Sequence, residues 1–301
     1  MLNNNSSELV TVILTTYKRP VSILKKAIDS VLNQTYKNIE LIVVNDCPNY
    51  IENDLIQELI LNYQSRVRYI INNGPHGANY ARNIGVMKTK GTFISFLDDD
   101  DYWDKSRIEL FSKFFDNKPV LIYSDIIMFN EKGSKISKRK YPIKEKQLET
   151  LLYDNFLGGF SNVMINKNAL LNSGGLNENM KSYQDQELWL RILPLGEIIY
   201  INKPLTYYRI SDESISNNNT NKVQGLNSLL KIHKKYYEKY PESKIKKLRN
   251  EYILALKNGW NENSIIIRKY LEQLVSLKLL FLWTIIGTSK KITMNLIRKW
   301  K

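Results

Sequence analysis

Strand and helix signals alternate through the first hundred residues, the polar loops of that stretch follow strands, and strand signals stop after residue 221. These observations predict an α/β protein with a Rossmann-like, mostly parallel sheet flanked by helices, followed by a helical C-terminal extension. Ligands of such sheets sit beyond the carboxyl ends of the strands, so those loops are where chemistry is expected.

Leu9 to Leu14 is an apolar run of strand length. Val21 to Leu32 carries Ile23, Leu24, Ala27, Ile28 and Val31 at helical spacing, and Ile39 to Val44 is a second strand. Ile51 to Tyr63 reads as a helix, Arg66 to Ile71 as a strand, Ala78 to Lys88 as a helix and Thr92 to Leu97 as a strand. The loops behind these strands are Thr15-Thr16-Tyr17, Asn45-Asp46, Asn72-Asn73-Gly74 and Asp98 to Asp101. Asn162 to Ile165 reads as a strand and Lys167 to Leu171 as a short helix stopped by Gly174-Gly175. Ser211 to Asn221 is a polar linker that divides the chain into 1–215 and 216–301. Past it, Val223 to Tyr240, Lys244 to Lys257 and Ile265 to Leu282 read as helices.

The run from Phe96 to Trp103 sets four adjacent carboxylates directly behind an apolar strand. Residues two apart on extended backbone point to one side, so Asp98 and Asp100 can converge on one cation. Mg²⁺ or Mn²⁺ suits such a place, because either takes a few carboxylate oxygens and fills its other positions with water or phosphate. An acidic run is otherwise a solvated loop, but the strand before it and Tyr102 and Trp103 behind it favour a site. A second acidic segment, Asp185-Gln186-Glu187, opens a predicted helix in which Asp185 shares a face with Leu188 and Trp189. An inward carboxylate with apolar neighbours gains basicity. Read from local sequence alone, Asp185 is a first-turn charge against the helix dipole. Glu187 sits four residues before Arg191 and can pair with it along the helix.

Six segments, taken in order, resemble the motifs of family 2 glycosyltransferases: Val-Thr-Val-Ile-Leu-Thr-Thr-Tyr (10–17), Ser-Val-Leu-Asn-Gln-Thr-Tyr (30–36), Glu-Leu-Ile-Val-Val-Asn-Asp (40–46), Ala-Arg-Asn-Ile-Gly (81–85), Phe-Leu-Asp-Asp-Asp-Asp (96–101) and Asp-Gln-Glu-Leu-Trp-Leu-Arg (185–191). The resemblance implies the A-type glycosyltransferase fold, a nucleotide-sugar donor, a divalent metal and inversion at the anomeric carbon. It also assigns roles. Thr15 and Tyr17 would line the base and ribose, and Asp46 would accept the ring N–H of uracil. Asp98 would lie beside ribose and metal, Asp100 would bind the metal directly, and Asp99 and Asp101 would add negative potential. Asp185 would be the general base. These roles suit the residue types, since a carboxylate facing a ring N–H makes a charge-assisted hydrogen bond and a tyrosine ring offers a stacking face. Asp46 is otherwise a turn residue before Pro48.

Arg19, Arg82 and Lys88 are the nearest basic candidates for the diphosphate. Only Arg82 lies within a motif, and an arginine there is equally a structural ion pair. Gly158 to Asn162 reads either as an acceptor-side loop, with Phe160 stacking on a sugar, or as a plain turn. Tyr208-Arg209-Ile210 is followed by Ser211, where many relatives of the family carry a histidine, which puts one metal or diphosphate contact in doubt. His76 is expected to be a bystander and His233 to be solvated.

The chain has 301 residues and a formal net charge of +14. Residues 1–221 hold 26 basic and 25 acidic side chains, whereas 222–301 hold 18 and 5, so the excess lies in the tail. That points to an anionic partner there, a membrane surface or nucleic acid. Tail helices that are apolar as well as basic, with Trp283 and Trp300 suited to headgroup depth, favour the membrane over nucleic acid. The longest uncharged tail stretch, Leu279 to Ser289, is shorter than the about 20 apolar residues that a span needs. Cys47 is the only cysteine, which excludes an intrachain disulfide and a cysteine-rich zinc site. Met1 to Glu8 lacks a secretory pattern. The expected location is cytoplasmic, peripheral to the inner face of the cell membrane, with a nucleotide-sugar donor and a glycan or lipid-linked saccharide acceptor. A sugar nucleotidyltransferase would want a glycine-rich loop after the first strand, and Thr15 to Pro20 contains no glycine. A nucleic-acid module would leave the aspartate run without a role.

Overall fold

The computed structural model describes residues 8–210, 219–284 and 286. Its strands are β1 (Val10–Thr16), β2 (Ile39–Asn45), β3 (Val67–Ile71), β4 (Phe93–Asp98), β5 (Tyr102–Trp103), β6 (Leu121–Asn130), β7 (Gly133–Ser137), β8 (Val163–Asn166) and β9 (Ile198–Arg209). The helices are α1 (Val21–Leu32), α2 (Asn53–Asn62), α3 (Ala78–Lys88), α4 (Arg107–Ser112), α5 (Gln147–Tyr153), α6 (Lys167–Asn172), α7 (Gln184–Ile192), α8 (Asn219–Ile232), α9 (Lys234–Lys239), α10 (Pro241–Asn258) and α11 (Asn261–Glu272). The chain divides into two compact units. One comprises residues 1–141, 156–180 and 184–212, the other 142–155, 181–183 and 213–301.

The first unit is built on one nine-stranded sheet in the order β3-β2-β1-β4-β8-β6-β9-β5, with β7 on β6. From β3 to β4 neighbouring strands are parallel, as the alternating signals require. Beyond β4 the sheet is mixed: β8 runs antiparallel to both β4 and β6, while β6 and β9 pair in parallel. The parallel strands are covered on both faces, which is why β1 and β4 are buried almost throughout. On one face Val10, Val12 and Leu14 pack with Leu24, Ala27, Ile28 and Val31 of α1. On the other, Gly85 lets α3 lie against β1, because a Cβ there would meet Ile13 Cγ2 at 2.4 Å. The α1 and α3 boundaries coincide with those expected from helical periodicity, and Gly174 and Gly175 stop α6 with φ of +87° and +72°.

The second unit is helical. Leu226, Leu248, Tyr252, Ile267, Leu271, Leu280 and Trp283 form its core. Tyr237 donates to the Leu152 carbonyl at 2.8 Å and Ser243 Oγ to that of Glu149 at 3.1 Å, which ties α9 and α10 to α5. The cationic excess expected on the tail surface loses one member, and two further expectations change. Lys247 is 4 % exposed and pairs with Glu251 at 3.1 Å, so it does not belong to a cationic surface. His233 is buried and stacks on Tyr236, and Trp283 is 7 % exposed and part of the core. Lys247 and Trp283 lie on helices whose inward face only tertiary packing selects, and His233 sits at the junction of α8 and α9. Most of the expected linker, Ser211 to Asn221, lies outside the described residues, as does Trp300. Among the described residues no helix is long and apolar enough to cross a membrane.

Candidate active site

The parallel strands deliver their loops to one edge of the first unit. Thr15 pairs with Val44 of β2 and with Asp98 of β4, so three strand ends meet there. Tyr17, just past β1, is 53 % exposed and its ring is open to a ligand. Asp46, just past β2, is buried. Its Oδ1 accepts from Asn72 Nδ2 at 2.7 Å and lies 3.3 Å from His76 Nδ1, and its Oδ2 accepts from the Gly77 N–H at 2.8 Å. A carboxylate has about four lone-pair sites, so this bracing still leaves room for a ring N–H. His76, expected to be a bystander, is therefore part of the Asp46 support.

The four aspartates behind β4 are held by groups distant in sequence. Asp98 Oδ1 accepts from Arg82 Nη2 at 2.7 Å. Asp99 accepts from the Tyr17 N–H at 3.1 Å and from Arg19 Nε at 2.8 Å, while Arg19 Nη2 reaches Asp100 at 3.0 Å. Asp101 is fully buried and accepts from the Arg209 N–H at 2.8 Å. Its Oδ2 has no hydrogen-bond partner. Burial, then the Asp98 and Asp100 carboxylates, push Asp101 well above the usual carboxylate range. Burial likewise raises Asp100 to about 6, against the opposing pull of Arg19. Burial and the neighbouring acids thus work against the charged form of Asp101, the residue expected to add negative potential. Asp99 serves mainly as the anchor of Arg19 and of the Tyr17 backbone.

Arg82 is buried and does more than pair with Asp98. Its guanidinium lies 4.0 Å from the Phe160 ring centre and 3.4 Å from Gln184 Oε1 at the start of α7. Its ion pair with Asp98 is the alternative that the sequence left open. Lys88 sits at the far end of α3 from these loops, where its carbonyl accepts from Arg68 of β3 at 3.3 Å. Phe160 is 4 % exposed and packs edge-on against Phe96 and Trp189, so it is closed to a sugar. The loop it belongs to still borders the site: a Cβ on Gly159 would lie 4.0 Å from Asp185 Oδ2.

On α7, Leu188 and Trp189 are buried as expected and Asp185 is half-buried. Asp185 Oδ1 accepts from the Gln186 N–H at 2.8 Å. Glu187 is 1 % exposed and binds Arg191 through both oxygens, each at 2.8 Å. Tyr208, which sequence reasoning passed over, belongs to the site. Burial, with Asp101, Asp98, Asp185 and Asp100 around it, raises its hydroxyl. Its neighbour Tyr207 stacks on Tyr102 at 4.3 Å, and strand alternation turns Tyr208 to the opposite side. The signals were its place in that alternation and in the Tyr208-Arg209-Ile210 segment.

Among the described residues no three His, Cys, Asp or Glu side chains are grouped to cage a metal. The strand end offers Asp98 and Asp100, with side chains 36 % and 21 % exposed, beside the orphaned Oδ2 of Asp101. A set of hard oxygens with open sides fits Mg²⁺ or Mn²⁺ whose other positions go to diphosphate and water.

Comparison with known proteins identifies the family. Residues 11–176 match the sequence model of the family described as Glycosyl transferase family 2. An uncharacterized glycosyltransferase of Haemophilus influenzae is 27% identical over 306 residues, covering 97% of this chain and 100% of that protein. The Escherichia coli protein named UDP-Glc:alpha-D-GlcNAc-diphosphoundecaprenol beta-1,3-glucosyltransferase WfaP is 31% identical, covering 74% of this chain and 86% of its own. The putative teichuronic acid biosynthesis glycosyltransferase TuaG of Bacillus subtilis is 28% identical, covering 71% and 84%. Among solved structures, mannosyltransferase PcManGT from Pyrobaculum calidifontis, in complex with GDP-Man and Mn²⁺, superposes with a TM-score of 0.60 at 13% identity, covering 97% of this chain and 83% of its own. TarS 1–349 of S. aureus with UDP-GlcNAc gives 0.54 at 14%, covering 88% and 92%. At such identities the likeness is one of fold, the A-type glycosyltransferase fold. With more than half of the chain matching the family model, the protein belongs to glycosyl transferase family 2 and is a glycosyltransferase.

Proposed function

We propose that this enzyme moves a sugar, with inversion, from a UDP-sugar to a hydroxyl of a glycan or lipid-linked saccharide, in surface polysaccharide biosynthesis. One observation carries the reading: Arg82 touches both Asp98 at 2.7 Å and Gln184 at 3.4 Å, which sets the donor-side carboxylates beside the helix of the proposed base. Tyr17 stacks on the base, Thr15 lines the ribose, and Asp46, aimed by Asn72 and Gly77, accepts the uracil ring N–H. Asp98 and Asp100 would hold Mg²⁺ or Mn²⁺, which supplies charge neutralisation at the departing diphosphate when bound. Asp185 takes the proton from the acceptor hydroxyl as that oxygen attacks the anomeric carbon from the face opposite the leaving group. The names of the TuaG and WfaP proteins support the polysaccharide setting, and the diphosphoundecaprenol in the latter supports a lipid-linked acceptor.

Calorimetry with UDP and GDP, with and without Mn²⁺, tests the donor side. Binding is expected to need the cation and to prefer UDP. An Asp100→Ala variant that binds Mn²⁺ and UDP as tightly as the parent sinks the metal assignment.

The same reading seats residues 216–301 on an anionic membrane face rather than on nucleic acid. Its support is the exposed apolar set Leu277, Phe281 and Leu282, at 70 %, 68 % and 51 %, in a region of strong cationic excess. Sedimentation with anionic liposomes should persist in part at high salt. Its loss in Phe281→Ser is expected, and an unchanged pellet counts against this face.

A further inference from the structure

We propose that Arg19 is an exchangeable counter-ion of the carboxylate run: it grips Asp99 and Asp100 in the cation-free protein and moves its outer contact from Asp100 to the donor diphosphate when cation and donor arrive. The inference rests on the donor-site reading above and adds to it a residue that decides how cation and donor depend on each other.

The two contacts of Arg19 differ in kind. Nε donates to Asp99 Oδ1 at 2.8 Å, and the other oxygen of Asp99 is taken by the Tyr17 N–H at 3.1 Å. Asp99 is thereby fixed from two sides, with its side chain 8 % exposed. Nη2 instead donates to Asp100 Oδ2 at 3.0 Å, on the more open side, where the Asp100 side chain is 21 % and that of Arg19 27 % exposed. The inner contact can thus act as a pivot while the outer one breaks. The backbone that aims Arg19 is itself unusual: Lys18 holds φ at +49°, a left-handed conformation that side chains with a Cβ seldom adopt, in the turn joining Tyr17 to Arg19.

Charge balance sets the direction of exchange. Arg19 and Arg82 each neutralise one of the carboxylates that a divalent ion would use. A divalent ion on Asp100 shares that oxygen with a guanidinium, and the two positive charges repel. A diphosphate in the same pocket offers the freed guanidinium a planar, bidentate anionic partner. The cation alone must displace Arg19 without giving it a new partner and so binds weakly, whereas cation and diphosphate together each favour the other. Such mutual dependence is a coupling free energy between two ligands, and Arg19 supplies part of it.

Mn²⁺ binding to the full chain, read by electron paramagnetic resonance with and without UDP, tests the exchange without any activity measurement. In the parent, UDP should strengthen Mn²⁺ binding. Arg19→Gln should bind Mn²⁺ alone about tenfold more tightly than the parent and lose much of the gain from UDP. Arg19→Lys, which keeps one charge on a smaller donor, should fall between them and serves if the glutamine variant folds poorly. Parent-like or weaker Mn²⁺ binding by both variants, with Mn²⁺ and UDP still bound together by the parent, overturns the exchange alone. A parent that binds no Mn²⁺ even with UDP overturns the donor-site reading itself.

Discussion

The carboxylates behind β4 and those at the start of α7 serve one proposed site but are held in different ways. Asp98, Asp99, Asp100 and Asp101 are gripped by Arg82, by Arg19 and Tyr17, by Arg19 again and by the Arg209 N–H, all distant in sequence except Arg82, itself 16 residues away. On α7 the partners are local: Glu187 pairs with Arg191 one turn on, and Asp185 accepts from the very next N–H. Burial of the first group, and then the crowding of its acids, raises Asp100 and Asp101, as expected where an arriving cation is to be favoured. Local pairing on the second group divides labour. Glu187 is held by Arg191 through both oxygens, and Asp185 is half-buried with Oδ2 close to the Gly159 position.

The sharpest way to break this comparison is to neutralise the two α7 acids in turn. Asp185→Asn should lower transfer by roughly 10²–10⁴ while leaving UDP binding unchanged, because loss of a general base does not touch the diphosphate site. Glu187→Gln should keep most of the turnover per folded molecule but lower stability by about 2 kcal/mol, since the pair it breaks is buried on the carboxylate side. Single-turnover kinetics and urea unfolding separate the two. The reverse ranking in kinetics would move the base to Glu187.

A smaller effect tests the crowding behind β4. Asp100 titrates higher in the folded chain, about 6, than in an unfolded one, where 3.8 is usual, so the folded state holds its proton more tightly. Stability from this group is therefore present below about pH 4 and lost as pH rises to about 6, remaining lost above it. Asp100→Asn should be more stable than the parent at pH 8 by about 3 kcal/mol, a figure in which the Arg19 contact is already included, and the gap should close near pH 4. Urea denaturation at both pH values reads this. A variant less stable at pH 8 would mean that the Arg19 pairing outweighs desolvation and like-charge repulsion.

What could be read from the sequence follows the same division between local and distant. Periodicity located α1, α3 and the strand before the aspartates, and spacing paired Glu187 with Arg191, because each depends on residues within a turn or a strand. The antiparallel entry of β8 between β4 and β6 was not legible, since register there is chosen by partners far along the chain. Nor were the grip of Arg19 on Asp99 and Asp100 or the approach of His76 to Asp46, which join loops from different strands. Lys247 and Trp283 misled for a related reason. Basic and aromatic residues on amphipathic helices suit a surface or a core, and only packing decides between them.

The smallest expected effect sharpens the acceptor side. Gly159 has φ of −74° and ψ of 176°, extended backbone that alanine adopts without strain. A methyl group there would stand 4.0 Å from Asp185 Oδ2, an ordinary van der Waals distance, so the fold and the carboxylate have no reason to shift. If this loop borders the acceptor, Gly159→Ala takes space from the incoming sugar and from nothing else. The Michaelis constant for the acceptor should rise by about threefold to tenfold, equivalent to about 1 kcal/mol, with that for the donor and the melting temperature unchanged. An acceptor constant that stays at the parent value would place the acceptor on another side of Asp185. A donor constant that rises instead would mean that Gly159 borders the nucleotide-sugar, and that donor and acceptor meet nearer to Arg82 than the division between the two acidic segments implies.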